Sequence, residues 1–134
     1  MNYISRLDLS ANAVPEEKSL VFTIDNNEDT ELTIERFIMY LDTYRDDITC
    51  VVFNGGEDEY DLPLYLDIVK SYKLKACLYT DKKKVDRQIT SKLNYIKVGR
   101  YIESMGSLYE STTNQRMYNL DTDEDITYKF WEMN

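Results

Sequence analysis

The chain of 134 residues contains no histidine and only two cysteines. Without histidine, the usual general base of serine and cysteine nucleophile systems is missing, and ordinary hydrolase chemistry loses its commonest parts. Cys50 and Cys77 each sit inside an apolar run, where cysteine behaves as a small buried hydrophobe. Two such residues make neither a disulfide scaffold nor the Cys/His set of a zinc site. No stretch approaches the roughly 20 apolar residues that span a bilayer, and the first residues lack the basic-then-apolar pattern of a secretory signal. The expectation is a cytoplasmic protein that does not engage membranes. Positive charge is scarce as well: 16 Lys+Arg face 25 Asp+Glu, a net charge of −9. That balance repels phosphate backbones and argues against general nucleic-acid binding. With no internal repeat, no low-complexity tract and no long linker, residues 1–134 read as one domain.

Tyrosine, by contrast, is abundant, with twelve residues. Such amphipathic side chains favour core margins and interfaces, and Tyr40, Tyr44, Tyr65 and Tyr72 fall on helical faces as core-edge packing. Residues 2–9 and 19–25 read as strands, with a turn at Ala13-Val14-Pro15-Glu16 between them. A polar loop over residues 25–29 follows. Thr33 then caps a helix whose stripe is Ile34, Phe37, Ile38 and Leu41. Residues 48–53 form a continuous apolar strand of the kind buried in a parallel sheet. Asp61 and Pro63 open a second helix carrying Leu64, Tyr65, Ile68, Val69 and Tyr72. Strands follow at 76–79 and 95–98, with weak helical character over 82–92. This alternation predicts βαβ crossovers. Residues 100–115 look irregular, and 116–120 and 126–131 read as a C-terminal β-hairpin.

In open α/β sheets, ligands bind beyond the carboxyl ends of the strands, which directs attention to Asn54-Gly55-Gly56-Glu57. Two glycines admit a close ligand, and Glu57 could accept from an ammonium group; a Gly-Gly pair is also simply a tight turn. Asp121–Glu132 begins like a calcium loop, but Ile126 stands where such a loop needs glycine, so a solvated turn is expected. Lys82-Lys83-Lys84 reads as a solvated helix start.

One longer pattern is distinctive: Lys97-Val98-Gly99-Arg100-Tyr101-Ile102-Glu103-Ser104-Met105-Gly106-Ser107-Leu108, then Thr112-Thr113-Asn114-Gln115-Arg116. It resembles the C-terminal part of the activating protein of anaerobic ribonucleotide reductase, a radical S-adenosylmethionine (SAM) enzyme. Asp47–Val51 with Asn54-Gly55-Gly56-Glu57 resembles that family's strand ending in Gly-Gly-Asp/Glu, and Asp125–Trp131 its terminal strand. The likeness runs from residue 46 to the end, and Thr112–Arg116 is its most specific part. It implies a shortened, radical-SAM-like partial (β/α) barrel with a mostly parallel sheet, helices on the outer face and a C-terminal hairpin. The carboxyl ends of the strands at 19–24, 48–53 and 76–79 should be open, or filled by side chains such as Tyr79.

The N-terminal part departs from that family where the chemistry resides. The family's first strand leads into a C-x3-C-x2-C loop that holds a 4Fe–4S cluster. Here Leu20–Ile24 continues through polar residues, and Asn27 stands about where the first cysteine would fall. Cluster ligation requires thiolates. The resemblance therefore implies no 4Fe–4S cluster, no metal, no catalytic residues and no resident cofactor. Gly55, Gly56 and Glu57 would be a vestigial SAM segment with no affinity that matters at cellular concentrations. Arg100 in place of proline, and Tyr109-Glu110-Ser111 in place of Asp-Ser-Pro, extend the departure, through either drift or adaptation to a new partner. The leading expectation is a catalytically inactive relative acting as a protein-binding accessory or inhibitory module. Its partner would be the reductase, the true activase or another copy of itself, with Thr112, Thr113, Asn114, Gln115 and Arg116 at the contact. The competing expectations are a repurposed structural or interaction protein, viral origin included, and an activase completed by a cluster-bearing chain.

Overall fold

The structure, a computed structural model, describes residues 3–25, 30–57 and 61–132. The expected polar loop, Asn27 included, lies for the most part outside the described residues. Eight strands form one sheet: β1 (Tyr3–Ser10), β2 (Ser19–Asp25), β3 (Thr30–Glu31), β4 (Cys50–Asn54), β5 (Lys75–Tyr79), β6 (Tyr95–Val98), β7 (Arg116–Asn119) and β8 (Glu124–Asp125), in the order β3-β1-β2-β4-β5-β6-β7-β8. Four helices accompany them among the described residues: α1 (Ile34–Tyr44), α2 (Leu62–Ser71), α3 (Arg87–Thr90) and α4 (Tyr128–Trp131).

The centre of the sheet is parallel, β2 with β4, β4 with β5 and β5 with β6. Cys50, Val51, Val52 and Phe53 are buried on both faces, which accounts for the unbroken apolar run. On one face α1 and α2 press Phe37, Leu41, Tyr65, Leu66 and Val69 against Phe22, Phe53 and Leu78. Phe37 lies 5.1 Å from Phe22, 5.7 Å from Phe53 and 5.0 Å, edge-on, from Tyr65. Burying each such ring contributes about 1.5–3 kcal/mol. Thr33 caps α1 by accepting from Arg36 N at 3.1 Å. Asp61 holds the corresponding place on α2 without a side-chain cap bond, and Pro63 stands in the first turn. The opposite face carries a second core: Val14 from the β1–β2 connection, Cys50, Val52, Cys77, Tyr95 and Met117 from the sheet, Leu108, and Phe130 from α4.

Three expectations need correction. The sheet is not mostly parallel: the pairs β1–β2, β1–β3, β6–β7 and β7–β8 are antiparallel. The β1–β2 link is a short turn, and the chain between β6 and β7 contains no helix; neither connection is the helical crossover a parallel neighbour usually takes. Among the described residues β3 and β8 are the outermost strands of an open sheet. The C-terminal hairpin is present only as β7 with the two-residue β8, and residues 126–131 are not a strand. The hydroxyl of Thr127 accepts from Met117 N at 2.8 Å, taking a ladder donor a further strand residue would have used. The chain then turns into α4 and Phe130 enters the core. Ile34 of the predicted stripe is exposed, whereas Phe37 and Leu41 are buried.

Candidate functional site

On the face opposite α1 and α2, the registers align one row of side chains across five strands. Arg6 pairs with Thr23, Thr23 with Asn54, Asn54 with Tyr79 and Tyr79 with Lys97. The row lies toward the carboxyl ends of the parallel strands, where α/β sheets place their ligands. It floors a cleft of about 790 Å³, walled by Leu9, Tyr101, Leu108, Tyr109, Gln115 and Phe130. The carboxyl ends are thus both open and partly lined by Tyr79, whose hydroxyl donates to Ala13 O.

Lys97 is the unusual member. It is only 6% exposed, yet it lines the cleft. Its Nζ donates to Gly99 O at 3.1 Å and lies 5.4 Å from the Tyr79 ring centroid. Burial lowers its pKa, with the carboxylates of Asp81 and Glu57 acting in the opposite direction. Among the described residues, no carboxylate lies within ion-pairing distance of it. Gln115, also buried, donates to the same Gly99 carbonyl at 3.2 Å. The Asn54 amide has no hydrogen-bond partner among the described residues. At the outer end of the row, Arg6 is held by Asp8 in an exposed 3.2 Å pair.

Of the residues singled out in the sequence, Asn54, Tyr79 and Gln115 line this cleft, whereas Gly55, Gly56, Glu57 and the rest of Thr112–Arg116 fall around it. Gly55 and Gly56 take φ of +86° and +70° as the chain leaves β4. A Cβ on Gly55 would lie 2.9 Å from Ile24 O, and one on Gly56 2.7 Å from Ile24 Cγ2, so the pair lets the turn pass against the end of β2. Glu57 accepts from the Thr80 hydroxyl. The Thr112–Arg116 segment is committed to local bonding. Thr112 donates to Met105 O at 2.6 Å, Asn114 to Arg100 O at 2.9 Å, and Thr113 accepts from Gln115 N at 3.0 Å. Arg116 lies 3.6 Å from Asp125. These bonds pin the loop over residues 99–112, which carries Tyr101, Ile102 and Met105 exposed on its surface.

Cys50 and Cys77 are buried thiols of β4 and β5, and burial pushes Cys50 up to about 12. In the calcium-loop-like stretch, Asp121 accepts from Asn94 at 3.0 Å and Asp125 from Thr127 at 2.6 Å. No cluster of metal-ligating side chains occurs among the described residues. None of their helices is long and apolar enough to cross a membrane. Lys97 was not singled out as a site residue from the sequence. Its signal was a lysine inside a central apolar strand, on the same side as Tyr95 and opposite to Ile96 and Val98. Comparison with protein-family models, with curated proteins and with solved structures finds no match.

Proposed function

We propose that the protein is a binding module without radical chemistry of its own, an accessory or inhibitor of anaerobic ribonucleotide reductase or of its activating protein. The observation that supports this reading is the pinned loop over residues 99–112. Tyr101 is 54% and Met105 43% exposed, with Ile102 beside them, on backbone tied down through Thr112, Asn114 and Gln115. Tyrosine and methionine are favoured at protein interfaces, and a loop already ordered loses little entropy on docking. The sequence resemblance over residues 97–116 supplies the choice of partner. The two buried cysteines fall one thiolate short of the family's three-cysteine cluster site.

The experiment is an anaerobic co-purification with recombinant reductase and activating protein. Retention of either by the wild-type chain, and its loss in a Tyr101→Ser/Met105→Ser variant of unchanged melting temperature, is the expected result. Retention of neither protein, or equal retention by the variant, removes the reading.

A further inference from the structure

The row on the open face contains chemistry that a protein-docking role leaves unused. Lys97 places an ammonium group at the floor of the cleft, almost wholly removed from water, with a single carbonyl as its hydrogen-bond acceptor among the described residues. Ammonium has three donors, and a buried cation without a counter-charge is costly. Next to Tyr79 in the same row stands Asn54, whose amide has no partner among the described residues. Around them are the rings of Tyr79, Tyr101, Tyr109 and Phe130. A concave, largely pre-formed cleft with aromatic walls and a few convergent polar groups has the construction of a small-molecule site.

We propose that this cleft binds a small organic anion with a flat apolar body, an aryl carboxylate or aryl phosphate, whose charged group seats against Lys97 Nζ. Asp81, which lines the same cleft, and Glu57 act on Lys97 only from beyond ion-pairing distance, so the anion supplies the direct counter-charge, and the aromatic walls take the ring. This site shares Tyr101 with the loop surface proposed for protein docking, but Lys97 is outside that surface and Met105 is outside the cleft lining, so the two proposals are tested apart.

The test is a ¹H–¹⁵N NMR titration of the full chain with benzoate, phenyl phosphate and, as the neutral counterpart, benzyl alcohol. Saturable shifts at cleft amides are expected for at least one anion, with Kd on the order of 1 mM for probes of so few atoms. The tighter of the two anions identifies carboxylate or phosphate as the preferred group. Lys97→Met should weaken that anion about tenfold or more and leave benzyl alcohol unaffected. Should Lys97→Met fail to fold, protection of Lys97 from reductive methylation in the wild-type chain gives the same information, slower labelling being expected with the anion bound. No saturable shift, equal binding of benzyl alcohol, undiminished binding by Lys97→Met, or unprotected labelling would each overturn the proposal.

Discussion

The carboxylate of Glu17 and the hydroxyl of Tyr95, 78 residues apart in the chain, meet in a 2.7 Å hydrogen bond at the amino ends of the parallel strands. Glu17 is 9% exposed and also receives the Thr49 hydroxyl at 2.8 Å and Lys75 Nζ at 3.1 Å. One side chain from the β1–β2 turn thus joins β5, β6 and the residue preceding β4. Glu17→Ala leaves the Tyr95 hydroxyl without its acceptor and should cost about 2–4 kcal/mol, while Tyr95→Phe should cost about 1–2 kcal/mol. Urea unfolding monitored by circular dichroism measures both. A loss below about 0.5 kcal/mol for Glu17→Ala would show that the linkage holds nothing together.

Alkali should destabilise the fold before any other change of pH does. Burial raises the thiols of Cys50 (to about 12) and Cys77, and the phenols of Tyr79 and Tyr95, with the Glu17 hydrogen bond adding to the effect at Tyr95. The folded state keeps protons that the unfolded chain releases. Their stabilisation is therefore complete below about pH 8.5 and declines as pH climbs toward 12. Lys97 has the opposite sign: with its pKa lowered, it opposes folding most where it is protonated and relaxes as pH rises. The melting temperature should fall steeply above about pH 9, and Cys50→Ala should flatten part of that fall. A melting temperature constant to pH 11 would contradict it.

The two glycines after β4 should respond unequally to alanine. At Gly55 the new methyl group meets the Ile24 carbonyl, which is fixed in β2; at Gly56 it meets Ile24 Cγ2, a side-chain atom that can turn away. Both positions also carry positive φ. Gly55→Ala should cost about 2–3 kcal/mol and Gly56→Ala about 1–2 kcal/mol, read from urea midpoints. The reverse order would mean that Ile24 cannot rotate.

Anaerobic incubation with ferrous iron and sulfide should leave the protein colourless, and SAM should stay uncleaved in the presence of dithionite. Only two thiols are present and both are shut inside the sheet. A brown protein with the absorbance of an iron–sulfur centre would require ligands other than those described above.

The central strands were legible because parallel pairing demands side chains buried on both faces, and the Cys50–Phe53 run has no other explanation. The stripe of α1 and the cap at Thr33 were legible for the same local reason. What escaped was set by contacts distant in sequence. Ile126–Trp131 alternates well enough for a strand, and only the bond from Met117 N to the Thr127 hydroxyl shows why the ladder ends once Ile126 N has met Met117 O. The open carboxyl ends, with Asn54 and Tyr79, were legible, but Arg6, Thr23 and Lys97 lie inside their strands and nothing local marks them as neighbours. Arg6, Thr23, Asn54, Tyr79 and Lys97 become a group only once the register of five strands is known. The glycines at 55 and 56 drew attention as a ligand cradle, whereas the close approach there is made by Ile24.

The margins of the sheet also govern how copies of this chain meet. β3 and β8 are two residues each, with Glu31, Glu124 and Asp125 among their four positions. Where β1 runs on past β3, an irregularity between Ile4 and Arg6 and the charges of Arg6 and Asp8 interrupt the exposed rim. Little regular main chain is left for a neighbouring polypeptide to zip onto, so crowding this acidic protein should not drive it into fibrils, and any lasting assembly must be made through side chains.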